Sequence, residues 1–251
     1  MLENIITKRT RKPPRIVIYG TEKIGKSSWA AQAESPIFIT TEDGLGEIEV
    51  PHFPLATDYE NAMANVVALI ENDHEYKTCV IDSADWLERL IHAAICGKDN
   101  SESITQAAGG FGAGYAMATK YWGEFLAALD YLRNEKRMTI IMIAHSQVVR
   151  FEDPESPAYD RHAPKLHKNA AAMINEWADA VLFATRKMRI VEQKEGFGKK
   201  RTTAAPIGAS GGDRVIRCVG SPACVAGNRY GLPDELPLDY QAFADALAAT
   251  M

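Results

Sequence analysis

The sequence predicts an α/β domain with a mostly parallel central sheet, flanked by helices and extended by a C-terminal β-hairpin. Two observations lead to this fold class. Short apolar runs alternate with amphipathic segments of helical period up to residue 144. The 251 residues are also 46% hydrophobic and 24% charged, which is enough apolar material for one sizeable core.

The elements follow in order along the first part of the chain. Strands are predicted where short apolar, β-branched runs occur, and helices where apolar residues recur every three or four positions. The predicted strands are residues 15–19, 36–41, 78–82 and 138–144, and the predicted helices are residues 26–34, 58–72, 86–95 and 115–134. Strands that alternate with helices in this way favour parallel pairing.

The pattern changes after residue 144. Residues 145–168 are polar and contain proline, which predicts a long loop without regular structure. A strand is predicted at 180–185, with a polar continuation to about residue 192 that pairs with 214–219, and a closing helix at 239–249. We therefore divide the chain into a basic leader (1–14), a core (15–238) with insertions at 97–114 and 145–168 and a hairpin at 186–219, and a C-terminal helix (239–251).

Composition excludes several classes of protein. No apolar stretch approaches the roughly 20 residues that cross a bilayer, and the polar N-terminus lacks the apolar core of a secretory signal. The four scattered cysteines include no CxxC pair, so neither disulfides nor a zinc site is expected. We expect a cytoplasmic protein without membrane partners.

Net charge is −5, so nucleic acid could bind only at local basic patches. Two such patches occur, and a solvated charged face is the alternative interpretation of both. Their basic residues are Lys8, Arg9, Arg11, Lys12 and Arg15 in the leader, and Arg186, Lys187, Arg189, Lys194, Lys199, Lys200 and Arg201 in the later segment.

Residues 20–27 fit the pattern GxxxxGK[ST] between a predicted strand and a predicted helix. Such a loop, here called the P-loop, wraps backbone N–H groups around phosphates, while its lysine reaches the β and γ oxygens and its hydroxyl ligates Mg²⁺. ATP and Mg²⁺ are therefore the expected ligands. The predicted nucleotide-binding residues are Gly20, Thr21, Glu22, Lys23, Ile24, Gly25, Lys26, Ser27 and Ser28.

Asp82 ends an apolar strand, which would hold a carboxylate rigidly beside the P-loop. We assign both Ser27 and Asp82 to the metal site, and Asp82 would act through a water molecule. Because aspartate is also a preferred helix cap, the alternative is that Asp82 caps the following helix.

Hydrolysis also requires a group that orients or deprotonates the attacking water. The residue after Asp82 is Ser83 and not a glutamate, so this acid must come from another strand. Glu42 follows the second predicted strand and would emerge at the same sheet edge, so we predict it as the catalytic acid. The alternative is a solvated turn at Glu42-Asp43-Gly44.

The strand at 138–144 delivers His145, Ser146 and Gln147 to this edge. A neutral amide there could bond the γ-phosphate and report its loss, so Gln147 is predicted as the sensor. His145 is the competing candidate, although a single histidine at a strand end is more often structural.

Together these residues resemble the RecA-like ATPase core of recombinases and replicative helicases, over residues 15–232. Residues 41–43 resemble the family's catalytic glutamate, residues 81–83 its Asp-Ser Walker B motif, and residues 144–147 its γ-phosphate sensor. Residues 227–231 are similar to the loop whose arginine reaches the ATP of a neighbouring subunit. In this sequence Gly227 stands where the family has a lysine, so Arg229 would be the single residue that reaches the neighbouring ATP. The alternative is that Arg229 is an ordinary surface arginine in a turn.

In its small size the chain resembles the compact RecA-like proteins of phages, some of which anneal single-stranded DNA. The resemblance implies a homo-oligomeric ring or filament, single-stranded DNA bound by two loops, and a single-strand-binding protein as a possible partner. Aromatic residues that stack on bases and basic residues that meet phosphates are the candidates there. They are Phe111, Tyr115, Arg150, Arg161, Lys165 and Lys168. Acidic neighbours in the second loop make a solvated loop the alternative.

The function predicted from the sequence is a Mg²⁺-ATP-dependent, DNA-binding ATPase of phage-type recombination or single-strand annealing. Two alternatives stay open. One is an assembly or loader protein with little turnover, and the other is a small-molecule kinase, although no run of arginines forms a lid over an acceptor.

Overall fold

A computed structural model of the chain describes residues 11–155, 157–195, 199–208 and 211–250. The strands are β1 (Arg15–Gly20), β2 (Pro36–Thr40), β3 (Thr78–Asp82), β4 (Thr139–Phe151), β5 (Tyr159–Pro164), β6 (Ala180–Arg186), β7 (Met188–Glu195), β8 (Lys199–Pro206), β9 (Arg214–Arg217), β10 (Gly227–Asn228) and β11 (Glu235–Pro237). The helices are α1 (Lys26–Ala30), α2 (Tyr59–Glu71), α3 (Ala84–Asp99), α4 (Ala113–Asn134), α5 (Lys168–Trp177) and α6 (Tyr240–Ala249).

The main sheet has the order β11-β9-β6-β1-β4-β3-β2, with β5 attached to β4 and β10 attached to β6. β1 pairs in parallel with β4 and β6, and β3 pairs in parallel with β2 and β4. Because β4 separates β1 from β3, its residues 143–145 lie between the P-loop and Asp82. The predicted fold class, with its mostly parallel central sheet between helices, is confirmed.

Apolar residues on both faces of the sheet form two core layers. Along β1, Val17 and Tyr19 pack into the layer that contains residues of α2, α3, α4 and α5. Ile16 and Ile18 point into the other layer, with residues of α1 and α6. This alternation is the period-two pattern of a strand that is covered on both sides. Within the described ranges, no helix has the length and hydropathy to cross a membrane.

The first three strands agree with the sequence prediction to within one residue, but helix α1 is shorter than predicted. It ends at Ala30 instead of residue 34. Residues 31–35 turn back toward β2, and Ser35 adopts a left-handed φ of 40° there. The composition of residues 31–34 favours a helix, but the chain must return to the sheet by Pro36, where β2 begins.

The prediction of a long irregular loop at 145–168 is wrong. β4 continues seven residues past Ala144 and pairs with β5 as an antiparallel hairpin, in the register Ser146 with Pro164 and Phe151 with Tyr159. The paired strands are polar and half-exposed. Their sequence lacks the alternation of apolar and polar residues from which a strand is predicted. Helix α5 was also missed, although its Ala170 and Ile174 are buried at helical spacing.

The predicted partner of residues 214–219 is also wrong. β9 pairs antiparallel with β6, while β7 pairs with β8 in a separate two-stranded sheet. Three glycines with positive φ, Gly208, Gly211 and Gly212, allow the chain to turn back to the main sheet. Lys8, Arg9 and Met251 lie outside the described residues, as do the side chains of Lys194, Lys199, Lys200 and Arg201.

A cluster of arginines around Asp179 closes the amino-terminal edge of the sheet. Asp179 is 7% exposed and forms ion pairs with Arg15 at 3.0 Å, Arg133 at 2.9 Å and Arg229 at 3.2 Å. Burial alone would raise the pKa of Asp179, but the arginines, Arg15 foremost, hold it below its ordinary value. The carboxylate thereby joins β1, α4 and the loop before β11.

We predict that Asp179→Asn lowers the free energy of unfolding by about 3 kcal/mol, because it removes the acidic partner of Arg133 and one of the two acidic partners of Arg15, and both arginine side chains are only 13% exposed. Urea denaturation measures the change. Asp160→Asn is the matched control, since Asp160 pairs with Arg150 at 3.5 Å where both side chains are more than 60% exposed, and its loss should stay below about 1 kcal/mol. Equal losses in the two variants would contradict the prediction.

Candidate functional site

A cleft of about 450 Å³ opens at the carboxyl ends of β1 and β3. Its walls come from the P-loop, the segment after β2, the end of β3, the middle of β4 and the start of β9. The lining residues are Glu22, Lys23, Gly25, Lys26, Ser27, Ser28, Glu42, Asp43, Gly44, Ile48, Asp82, Ile143, His145 and Arg214. The parallel sheet therefore brings together the ends of strands that are far apart in sequence.

The P-loop glycines are required by close approach and by backbone conformation. A Cβ at Gly20 would collide with the carbonyl oxygen of Ala184, and Gly25 has a φ of 109°. Lys26 is buried, and its Nζ donates to the carbonyls of Gly20 at 3.1 Å and Thr21 at 2.9 Å. Burial lowers the pKa of Lys26. The ammonium group is thus held within the curve of the loop.

Ser27 and Asp82 meet at the base of the cleft. The Ser27 hydroxyl donates to Asp82 Oδ2 at 2.7 Å, while Asp82 Oδ1 is buried without a hydrogen-bond partner in the described part of the chain. Burial raises the pKa of Asp82. A hydroxyl beside an unsatisfied, buried carboxylate oxygen fits a site for Mg²⁺ and its water, because such oxygens are the ligands that Mg²⁺ prefers. The N-cap of α3 is Ser83, so the alternative that Asp82 caps this helix does not hold.

Glu42 reaches the same cleft from β2. The preceding residue, Thr41, fixes its position: the Thr41 hydroxyl donates to the carbonyl of Ser83 at 2.7 Å and accepts from its N–H at 2.9 Å. The Glu42 side chain is 19% exposed, and burial raises its pKa. A half-buried carboxylate of raised pKa is suited to accept a proton. Its catalytic role stays a prediction.

His145 stands between the P-loop and the acids. It is paired in register with Gly20, and Asp85 on α3 accepts from its backbone N–H at 3.0 Å. Its Nδ1 lies 3.0 Å from Asp85 Oδ2, and its Nε2 lies 4.0 Å from Glu42 Oε1. The hydrogen bond with Asp85 raises the pKa of His145. Asp85 therefore orients the ring that faces Glu42.

Gln147, the predicted sensor, points elsewhere. Its Nε2 donates to the carbonyls of Pro164 at 3.0 Å and Leu166 at 3.1 Å, across the base of the hairpin. Gln147 is not among the described residues that line the cleft, whereas His145 is. Gln147 lies two residues further along the extended strand than His145, where the carbonyls at and just after the end of β5 bind its amide.

Helix α3 connects the cleft to the two predicted DNA loops. One turn after Asp85, Glu88 accepts from the backbone N–H of His167 at 2.9 Å. The His167 ring stacks on Tyr115, with centroids 3.9 Å apart and planes 7° apart. The first turn of α4 and the segment after β5 thus meet at this stack.

The other DNA-binding candidates lie apart from this stack. Phe111 is fully exposed in the glycine-rich loop, with a φ of 51°. Arg150 is exposed and pairs with Asp160, while Arg161 lies over the ring of Phe151 at 3.8 Å. Exposed Lys165 and Lys168 flank the start of α5. The structure brings Tyr115 to the hairpin and leaves Phe111 at the surface.

Two arginines occupy opposite edges of the sheet. Arg229 lies at the amino-terminal edge on Asp179, away from the P-loop of its own chain. Arg214, which the sequence did not single out, lines the cleft. Asp85 was also missed, because its role depends on a contact between the start of α3 and His145 on β4, 60 residues away in sequence. No local pattern marks Arg214, because the pairing of β9 with β6 places it there.

We predict that Asp85→Asn lowers the pKa of His145, because the substitution removes the negative charge that favours the protonated ring. Titration of the histidine ring by NMR measures the pKa in both proteins. Asp43→Asn is the control, since Asp43 is an exposed carboxylate of the same cleft without a hydrogen bond to His145 in the described structure. An unchanged His145 pKa in Asp85→Asn would contradict this assignment.

Comparison with known proteins agrees with this site. A family model described as "AAA domain" matches residues 12–230, which is most of the chain. The chain is also 26% identical over 172 residues to "SPbeta prophage-derived uncharacterized protein YorG" of Bacillus subtilis (strain 168). That match covers 67% of this chain and 49% of the relative, so the chain spans about half of the relative's length. With its P-loop, its Ser27–Asp82 pair and its parallel sheet, the chain belongs to the AAA domain family of P-loop ATPases.

Proposed function

We propose that this chain is a Mg²⁺-ATP-dependent ATPase that binds single-stranded DNA in phage-type homologous recombination or strand annealing. The observation that carries the proposal is the continuous line of contacts from the cleft to the candidate DNA loops, through His145, Asp85, Glu88 and His167 to Tyr115. The match to a prophage-derived protein supports the phage context.

In the proposed reaction, the P-loop and Lys26 bind the phosphates of ATP, and Ser27 and Asp82 hold the magnesium ion. Bound Mg²⁺ supplies positive charge that neutralises the phosphate oxygens. Glu42 orients the attacking water and accepts its proton. His145 takes the position that we had predicted for Gln147 and bonds the terminal phosphate, while Gln147 holds the base of the hairpin.

Loss of the terminal phosphate would change the hydrogen bonding of His145 and, through Asp85, the packing of α3 against the hairpin. Asp85 and Glu88 lie one turn apart on the same face of α3, so one small shift of the helix moves both contacts. In this proposal, ATP binding orders the hairpin and the glycine-rich loop, and hydrolysis loosens them.

DNA would contact the loops at Phe111 and at the basic residues of the hairpin. A fully exposed aromatic ring is suited to stack on an unpaired base, since stacking is tolerant of sequence. Arg229 supports an oligomer, because a residue at the amino-terminal edge of its own sheet can meet an ATP site only in a neighbouring subunit. A homo-oligomeric ring or filament follows, with a single-strand-binding protein as a further partner.

We predict that Glu42→Gln lowers the rate of ATP hydrolysis by a factor of about 10² or more while nucleotide affinity is kept. Steady-state turnover and equilibrium binding of ADP measure the two effects. Glu49→Gln is the matched control, because Glu49 lines the neighbouring cavity and not this cleft. If turnover falls equally in both variants, Glu42 has no special role.

We predict that single-stranded DNA stimulates hydrolysis by the wild type and that duplex DNA stimulates it less. Lys26→Ala should abolish hydrolysis at every DNA concentration.

Phe111→Ala should weaken single-stranded DNA affinity by about fivefold or more, since base stacking is worth about 1–3 kcal/mol. Tyr131→Ala, at an exposed aromatic position on α4, is the control for Phe111. A titration of steady-state rate against DNA, with a binding isotherm, tests all four.

Other outcomes of this titration favour other functions. ATP-dependent DNA binding with little turnover would favour an assembly or loader protein. Activity that ignores DNA and saturates with a small hydroxyl compound would favour a kinase.

A further inference from the structure

We propose that Arg214 is a nucleotide-binding residue whose guanidinium contacts the phosphate chain on the side of the cleft opposite the metal site. This inference rests on the proposed nucleotide binding and extends it to a residue outside every motif of the sequence.

The position of Arg214 follows from the antiparallel pairing of β9 with β6. Arg214 is the first residue of β9 and is paired in register with Arg186, the last residue of β6. β6 runs parallel to β1, so its carboxyl end lies at the same edge as the P-loop. An antiparallel neighbour begins where β6 ends. Arg214 is therefore delivered to the phosphate-binding edge.

The contacts of Arg214 place its guanidinium directly on the P-loop. Its Nη1 donates to the carbonyl of Ile24 at 3.2 Å, and the same atom lies 2.8 Å from the position that a Cβ on Gly25 would take. In the described part of the chain this is the one hydrogen bond that the structure gives the guanidinium. The remaining N–H groups of the planar fork are left for a ligand, and this fork matches phosphate geometry.

Charge in the cleft is divided across the sheet. Glu42 and Asp82 stand at the ends of β2 and β3, on one side of the P-loop strand, and Arg214 stands on the other side, two strands away. Lys26 lies between them. A cation at the end away from the carboxylates is suited to a negatively charged ligand that spans the loop, so phosphate is the chemistry that Arg214 recognises.

Equilibrium binding of ADP and of inorganic tripolyphosphate to the full chain tests the inference. Arg214→Ala and Arg214→Gln should weaken binding of both ligands by about tenfold or more, because a charge-assisted hydrogen bond is lost. Arg214→Lys, which keeps the charge but lacks the planar fork, should lose less affinity than Arg214→Ala and should not reach the wild-type value. Since Arg214 is exposed, thermal melting should show all three variants folded.

Arg217→Ala is the matched control. Arg217 lies on the same strand, but it lines a separate cavity with Asp234 and Glu235, and its loss should leave both affinities unchanged. Wild-type affinity in Arg214→Gln would overturn the inference, since glutamine keeps a donor for Ile24 without the charge. A loss for ADP but not for tripolyphosphate would also overturn it, because it would indicate a contact with base or ribose.

Lys26→Ala separates this inference from the proposed function. If the wild type binds neither ligand, or if Lys26→Ala binds as well as the wild type, the nucleotide-binding proposal itself fails. If binding depends on Lys26 but Arg214→Ala equals the wild type, only the role of Arg214 is wrong.

Discussion

β4 pairs in parallel with β1 on one side and with β3 on the other, and the arrangement of the site depends on this double pairing. It sets the spacing between the P-loop and the Asp82 carboxylate and places His145 between them. It also leaves β4 as the only central strand in the described sheet that continues outward, as one arm of the hairpin. The cleft and the hairpin are therefore formed by one strand, since the pairing with β5 begins at Ser146, the residue after His145.

Helix α3 contacts both the cleft and the segment after β5. Its first turn carries Asp85, which holds both the backbone and the ring of His145, and its second turn carries Glu88, which binds the backbone of His167. Both contacts are made from one face of the same helix, so a displacement of α3 would alter them together.

The two edges of the sheet carry opposite charge patterns. At the amino-terminal edge, three arginines surround the carboxylate of Asp179, and the exposed Arg229 is the outermost of them. At the carboxyl edge, four carboxylates line the cleft together with three cations, Lys23, Lys26 and Arg214. In the proposed oligomer, the exposed Arg229 at one edge of the sheet would face the cleft at the other edge of a neighbouring subunit.

The sequence by itself determined the parallel α/β fold and the phosphate-binding loop, because apolar strands and a contiguous glycine-rich motif are local patterns. It also located Glu42 and Asp82, since each directly follows or ends a strand whose burial is evident. Only the tertiary structure decided that residues 145–164 form a hairpin, that His145 and not Gln147 enters the cleft, and that Arg214 joins the site. Those outcomes depend on which strands pair and in what register, and polar strands with no apolar alternation carry no local signal for that choice.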